Sequence, residues 1–279
     1  TIWGGEILLA DYEDFTRFGS ITPFLQIGGD TSAKEGWRIA VSMIYGYTKD
    51  REQAWEIIEK LDLCSEQESK VQFTMADRKI NAVISTSVGR LFDAVSAILG
   101  IRRQSSFEGE ASMALEFAAE AYEQRKYEQQ ECEQEKYKQQ KNKYEPQQDV
   151  DGKLTGNEKT DRLVYENEER FILNTRMLVQ QIVEEKIQGA DSERLAYLFH
   201  QVLAEQITTV CIEARNNSGR NKAALSGGVF QNRLLLRLTE ERLMQEGFEV
   251  LRHHMIPPND GGIAIGQAAY GMWHLNNNI

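Results

Sequence analysis

The chain has 279 residues, 41% of them hydrophobic, enough to bury one large core or two smaller ones, and no apolar run approaches the length of a membrane span. A net charge of −11 argues against a nucleic-acid surface, which gathers Lys and Arg. Three widely spaced cysteines, Cys64, Cys132 and Cys211, make no CxxC pair and read as free thiols in a reducing cytoplasm, and no basic-then-apolar leader opens the chain.

Thr1-Ile2-Trp3-Gly4-Gly5-Glu6 begins without Met and runs into Ile7, Leu8 and Leu9 as a strand, a start that reads as a cut from a longer sequence. Gly4-Gly5 taken alone is a tight strand connection. Residues 11–26 suit strands with a turn near Gly19, and Gly28-Gly29-Asp30 closes them. A helix follows with Trp37, Ala40, Val41 and Ile44 on one face, Trp37 being a core residue, and two further helices form around Trp55, Ile58 and Leu61 and over residues 71–80. Ser85, Thr86 and Ser87 offer capping oxygens to a helix whose Leu91, Phe92, Val95, Ile98 and Leu99 form an apolar stripe. Asp93 lies beside that stripe near the helix start, where a dipole-favoured carboxylate is the plain reading, and Gly89 permits close approach. Phe107-Glu108-Gly109-Glu110 opens another helix, its glutamates serving as capping charge.

Residues 122–143 are Gln, Glu, Lys and Tyr with almost no aliphatic side chain, either an extended solvated helix or disordered chain, and residues 149–161 read as linker. Order resumes at Leu163, with amphipathic helices over residues 171–183 and 192–214. His200 in the second is expected to pack in the helix with one nitrogen satisfied. A short apolar run, residues 222–225, breaks at Ser226-Gly227-Gly228 before a helix carrying Leu234, Leu235, Leu238 and Leu243. Strand, glycine turn and helix build an anion site from free N–H groups and the helix dipole, or else the glycines only let strand and helix pack closely. His253 and His254 read as strand neighbours whose side chains diverge. In Pro257-Pro258-Asn259-Asp260-Gly261-Gly262 the Asp260 carboxylate is held at a strand-to-helix turn, as an N-cap or as a ligand for a divalent ion.

The strings LSGGVFQNRLLL and PPNDGGIAIGQA, preceded in order by IWGGEILLADY, EGWRIA, SVGRLFDAVSAILG and FEGEASMALE, closely resemble the C-terminal domain of the HypF-type carbamoyltransferases of nickel-iron hydrogenase maturation. The resemblance covers nearly everything except about forty residues after Ala121. It divides the chain into a carbamoyltransferase domain over 1–121 and 162–279, interrupted by a low-complexity insertion at 122–161. It implies an actin-like α/β fold of the ribonuclease H-like class shared with sugar kinases, present mainly as its second lobe. By the same resemblance Gly4, Gly5, Glu6, Gly89, Asp93, Gly109, Glu110, Gly227, Gly228, Val229 and Asn232 line a nucleotide site. In the related tRNA threonylcarbamoyl transferases the aspartate matching Asp93 binds ribose hydroxyls, chemistry a carboxylate suits. Asp260 matches a metal ligand (iron, zinc or magnesium) whose histidine partners this chain does not carry.

The implied reaction makes carbamoyl adenylate from carbamoyl phosphate and ATP and moves the carbamoyl group to the C-terminal cysteine thiol of a HypE-type partner. No side chain of this chain need be the nucleophile, and by itself the chain is expected to be inactive. An actin-like small-molecule kinase and a non-catalytic nucleotide-binding module are the alternatives. The C-terminal helix, with Ile263, Ile265, Ala268, Ala269 and Met272, carries more apolar surface than a terminal helix needs, so self-association of the chain alone is a further expectation.

Overall fold

The computed structural model describes residues 1–140, 163–167 and 170–277, with side chains from 131 to 140 outside the description. The chain is α/β. Strands β1 (Glu6–Ala10) and β2 (Phe15–Ile21) form an antiparallel hairpin with a register shift between Ile7 and Leu8. The hairpin turns where the Asp11 side chain accepts from Glu13 and Asp14 N–H, not at Gly19. Gly19 lies inside β2, and a Cβ there would stand 2.8 Å from Val210 Cγ1, so close packing fixes it. Strand β3 (Phe24–Ile27) pairs antiparallel with β4 (Ala82–Ser85).

Between β3 and β4 stand the short α1 (Thr31–Lys34), then α2 (Gly36–Thr48), α3 (Arg51–Lys60) and α4 (Glu66–Arg78). Asp50 caps α3, and a reciprocal capping box of Ser65 and Glu68 opens α4. Helix α5 (Val88–Ile98) is capped by Ser87 and buries almost every residue, packing against α2 and α6 (Glu110–Gln140). The residues expected to begin a solvated insertion thus continue α6 as far as Gln140. Its start at 122 is not free of the body: Glu123 accepts from Tyr197 Oη at 2.9 Å and Arg125 pairs with Asp191 and Glu193. The remainder, including the linker over 149–161, lies outside the described residues.

Strands β5 (Val164–Glu166) and β6 (Phe171–Leu173) complete a four-stranded sheet in the order β1-β2-β6-β5, with β2 and β6 parallel. Phe171, Ile172 and Leu173 are therefore strand, not helix. Asn174 ends that strand and caps α7 (Thr175–Ile187) by accepting from Met177 N–H. Helix α8 (Ser192–Ser218) crosses beneath the sheet and stops at Gly219. Strand β7 (Lys222–Leu225) leads through a glycine turn to α9 (Arg233–Gln245), and β8 (Glu249–Arg252) returns parallel to β7. Helix α10 (Ile263–Asn277) ends the described chain.

One apolar core draws on both sides of the undescribed stretch, from Ile21, Trp37, Phe92 and Leu115 to Leu195, Phe199, Leu203 and Leu235. The rings of Phe92 and Phe199 meet edge to face at 4.8 Å. A smaller cluster of Leu225, Leu243 and Phe248 fixes β7, β8 and α9 to one another. No helix among the described residues is long and apolar enough to cross a membrane.

Candidate nucleotide site

The glycine turn stands at the carboxyl end of the parallel pair β7 and β8, where loops leave a sheet edge and ligands gather. Gly227 has φ of 98°, a conformation that favours glycine, and a 3-10 turn over Gly228–Gln231 follows. Close packing does not explain the pair: a Cβ on either Gly227 or Gly228 would meet nothing within 4 Å. The space beside both glycines is open, and the N–H groups of Gly228 and Val229 take no partner among the described residues. Gly227 N–H donates to the Pro258 carbonyl at 2.8 Å, which ties the turn to the second loop.

The expected anion site at the opening of the following helix is corrected by the structure. The first N–H groups of α9 are already taken: Arg233 N–H donates to Glu116 Oε1 at 2.6 Å, Leu234 N–H reaches the same oxygen at 3.4 Å, and Leu235 N–H donates to Asn232 Oδ1 at 2.8 Å. A buried carboxylate of α6 thus stands where a ligand phosphate would lie, so the open donors belong to the glycine turn itself. Burial raises the Glu116 carboxyl, and the two N–H donors act against that shift. Nothing local in the sequence marks Glu116, since its partner is 117 positions away.

Asn232 is buried and acts as the cap of α9. Its Nδ2 donates to His200 Nε2 at 3.0 Å, and His200 Nδ1–H donates to the Ala196 carbonyl at 2.7 Å. Both imidazole nitrogens are therefore satisfied, one more than the sequence reading gave. Burial holds His200 down to about 4, so the ring is neutral. This chain of bonds locks the turn to α8. It leaves Asn232 shaping the site from beneath, with its polar atoms engaged inside the protein.

Glu6 is likewise engaged inside. Its carboxylate accepts from Gly4 N–H at 2.6 Å and Gly5 N–H at 2.8 Å, pairs with Arg17 at 2.7 Å, and accepts from Thr86 Oγ1. The Gly4-Gly5 turn is folded around this carboxylate and pressed on the start of α5. A Cβ on Gly5 would stand 2.6 Å from the Thr86 carbonyl oxygen, and Val88 N–H donates to the Gly4 carbonyl. That contact brings Gly4, Gly5 and Gly89 together at the α5 N-terminus, and α5 also touches the glycine turn.

Asp93 follows Gly89 by four positions on the same helix face. It is the sixth residue of α5 and 2% exposed, not a first-turn surface charge. Gly36 makes room for it: a Cβ there would lie 2.5 Å from the Asp93 carbonyl oxygen, so α2 and α5 cross in backbone contact. Desolvation pushes the Asp93 carboxyl up to about 6, with the Arg90 guanidinium acting against it. Asp93 Oδ2 is 2.9 Å from Arg90 but outside hydrogen-bonding geometry, so it holds a charge partner without a directional bond.

Gly109, at φ of 80°, turns the chain into α6, and Glu110 accepts from Ser106 N–H and Ser106 Oγ and pairs with Arg102 at 3.2 Å. The Ser106 N–H is the main reason the Glu110 carboxyl is lowered. These bonds fit capping charge.

At the second loop Asn259 provides the cap, accepting from Gly261 N–H, and Asp260 is exposed with a carboxylate that has no partner among the described residues. No group of three or more His, Cys, Asp or Glu side chains converges among those residues. The donor set toward a divalent ion is thus Asp260 alone. This does not fit a resident metal site, and no step below is routed through a metal. His253 and His254 lie beyond the end of β8, not within it.

The family described as carbamoyltransferase, Kae1-like domain, second subdomain, matches residues 1–267. The chain is 28% identical over 266 residues to a probable carbamoyltransferase HypF of Methanocaldococcus jannaschii, covering 95% of this chain and 30% of the relative. It is 32% identical over 283 residues to a carbamoyltransferase HypF of Rhodobacter capsulatus, covering 100% and 31%. A crystal structure of full-length HypF in a phosphate- and nucleotide-bound form superposes with a TM-score of 0.74 at 28% identity, covering 96% of this chain and 30% of that one. The chain therefore spans about a third of the length of these relatives.

Proposed function

Because the chain belongs to the HypF carbamoyltransferase family, we propose that it holds carbamoyl adenylate, made from carbamoyl phosphate and ATP, while a cysteine thiol attacks the carbamoyl carbon. The thiol is the C-terminal cysteine of a HypE-type partner, and the product enters maturation of nickel-iron hydrogenase, where its dehydration supplies cyanide for the iron. The observation that carries the reading is the open glycine turn. Gly228 has neither a packing neighbour nor a positive φ to explain it, and it adjoins free N–H groups. Approach of a phosphate to that backbone gives the glycine a reason.

In this reading Gly227, Gly228 and Val229 receive the adenylate phosphate, and Asp93 does not take the ribose role that the resemblance implies for it, because its carboxylate is buried between α2 and α5. Gly89 leaves room along the α5 start, where Gly4 and Gly5 pack against the helix and shape that edge, and Gly109 and Glu110 close over the nucleoside. Glu6 holds the Gly4-Gly5 turn, and Asn232 and Glu116 hold the start of α9, from inside. The similar full-length HypF structure is described as phosphate- and nucleotide-bound, in keeping with a nucleotide site in this family. The protein's part is positioning and stabilisation of charge on the departing phosphate, with no covalent intermediate on its own side chains.

Calorimetric titration of ATP into the Gly228→Ala variant tests the site. The residue is not in the left-handed region and the added Cβ meets open space, so the variant folds as the parent does. Nucleotide affinity falls at least about tenfold, since the methyl stands between phosphate and backbone. Parent-like affinity in a folded variant overturns the reading.

A further inference from the structure

At the carboxyl ends of β7 and β8, Leu225 is paired with Arg252, so the next residues, Ser226 and His253, leave the sheet side by side. His253 Nε2 and Ser226 Oγ are 2.9 Å apart, and both residues are exposed. His253 Nδ1 has no partner among the described residues. The contrast with His200 is informative: there both nitrogens are consumed in the core, whereas here one nitrogen is oriented and the other is open to solvent. The bond is not needed to join the two loops, because the Gly227 to Pro258 backbone bond already does so. It orients an imidazole one residue from the glycine turn.

Ser226 suits that task because a hydroxyl both donates and accepts. With the proton on Nε2, the ring donates to Ser226 Oγ and presents the Nδ1 lone pair outward. If Nδ1 then gains a proton, the same bond persists and steadies the imidazolium. Arg252, the adjoining cation, is occupied by Glu240 at 2.9 Å.

We propose that His253 is the proton acceptor for the attacking thiol, with Ser226 as the positioning residue that orients its ring. The proposal rests on the carbamoyl-transfer reading above. In the step, sulfur forms a bond to the carbamoyl carbon and the thiol proton passes to His253 Nδ1. The bond from that carbon to the phosphate oxygen breaks, and AMP departs with the electron pair. A thiol is mostly protonated at neutral pH and needs such a base to attack.

The experiment uses the complete protein in which this chain occurs, with ATP, carbamoyl phosphate and the thiol-bearing partner, and follows carbamoylated thiol by intact mass. His253→Ala lowers kcat by about 10²-fold or more while nucleotide affinity and KM for the partner stay within about twofold. Added imidazole restores the rate in a saturable way, which a merely structural role would not allow. Ser226→Ala loses less, about tenfold, and His253→Gln, which keeps a donor toward Ser226 but has no base, behaves as His253→Ala without rescue. If the wild type carbamoylates the thiol and His253→Ala matches it, or loses rate without rescue by imidazole, the base assignment is overturned and the carbamoyl reading stands. If the wild type binds nucleotide and yields no carbamoylated thiol, the carbamoyl reading fails and takes this proposal with it.

Discussion

Asp93 occupies a position where a charge is costly, and that cost makes its role measurable. Its folded pKa of about 6 stands above the ordinary 3.8, so between those values the folded protein holds a proton that the unfolded chain has released. Its contribution to stability therefore falls as pH rises from about 3.8 to 6 and stays constant above. Asparagine at this position carries no such penalty. In urea melts the Asp93→Asn variant should gain on the parent across that window, by about 1–3 kcal/mol at pH 7.5 once the loss to Arg90 is counted. A stability difference that does not vary with pH would remove Asp93 from the buried-charge account. His200 has the opposite sign: its pKa is lowered to about 4 from 6.5, so its contribution is present above that window and lost on acidification through it. Asp93→Asn should accordingly unmask a loss of stability between pH 6.5 and 4 that the parent partly hides. Glu116 is tested by truncation. Glu116→Ala leaves two N–H groups of α9 without a partner at a buried end, costing about 2–3 kcal/mol and loosening the turn, whereas Glu116→Gln keeps an acceptor and costs less, as thermal melts would show.

At the scale of elements, what the sequence made legible was local: the strand-turn-helix around Gly227, the strand-to-helix turn at Asp260, the cap at Ser87, and the apolar stripes of α2 and α5. Each is written in adjacent residues through period, capping or turn chemistry. Contacts between distant segments were not legible. Gly36 and Gly19 exist for close approach to Asp93 and Val210, and a glycine inside a strand gives the same local signal as one in a turn. Phe171, Ile172 and Leu173 form a strand although three apolar residues fit the helical period equally well, and the signal that separates them from the helix is Asn174, the cap before Thr175. The stretch after Ala121 shows the same limit. Its composition indicates little apolar burial, yet among the described side chains one carboxylate, Glu123, holds both Tyr197 and Arg237. A deletion from 122 to 143 therefore removes more than solvated helix. Deleting 127–143 instead should leave the melting temperature within about 2–4 °C of the parent, equivalent to about 1 kcal/mol, and the deletion from 122 should fall clearly below it. Equal melting temperatures for the two would mean the Glu123 network contributes nothing.

For the molecule as a whole, the decisive feature is the contrast between a well-buried core and the surface of α10. Ile263, Ile265, Tyr270, Met272 and Leu275 are between 49% and 70% exposed, and the helix has no buried residue. Trp273 stacks on Tyr12 at 5.3 Å, which pins one end to the turn of the β1-β2 hairpin and leaves the apolar side chains around it uncovered. Exposed apolar side chains in this number on one helix drive association in water. The 279-residue chain studied alone should therefore run larger than its monomer mass in sedimentation velocity, increasingly so with concentration. Ile265→Glu with Leu275→Glu should return it to monomer without lowering its melting temperature, because neither side chain is packed. The same chain should bind divalent ions no more tightly than about millimolar, since Asp260 alone provides one or two oxygens where tight oxygen sites use six or more. Sedimentation of the unmodified chain as a monomer at every concentration would mean that α10 folds back onto the body in solution. Stoichiometric metal surviving dialysis would require ligands, with His253 or His254 the nearest in sequence, to move toward Asp260, and His253 would then leave Ser226.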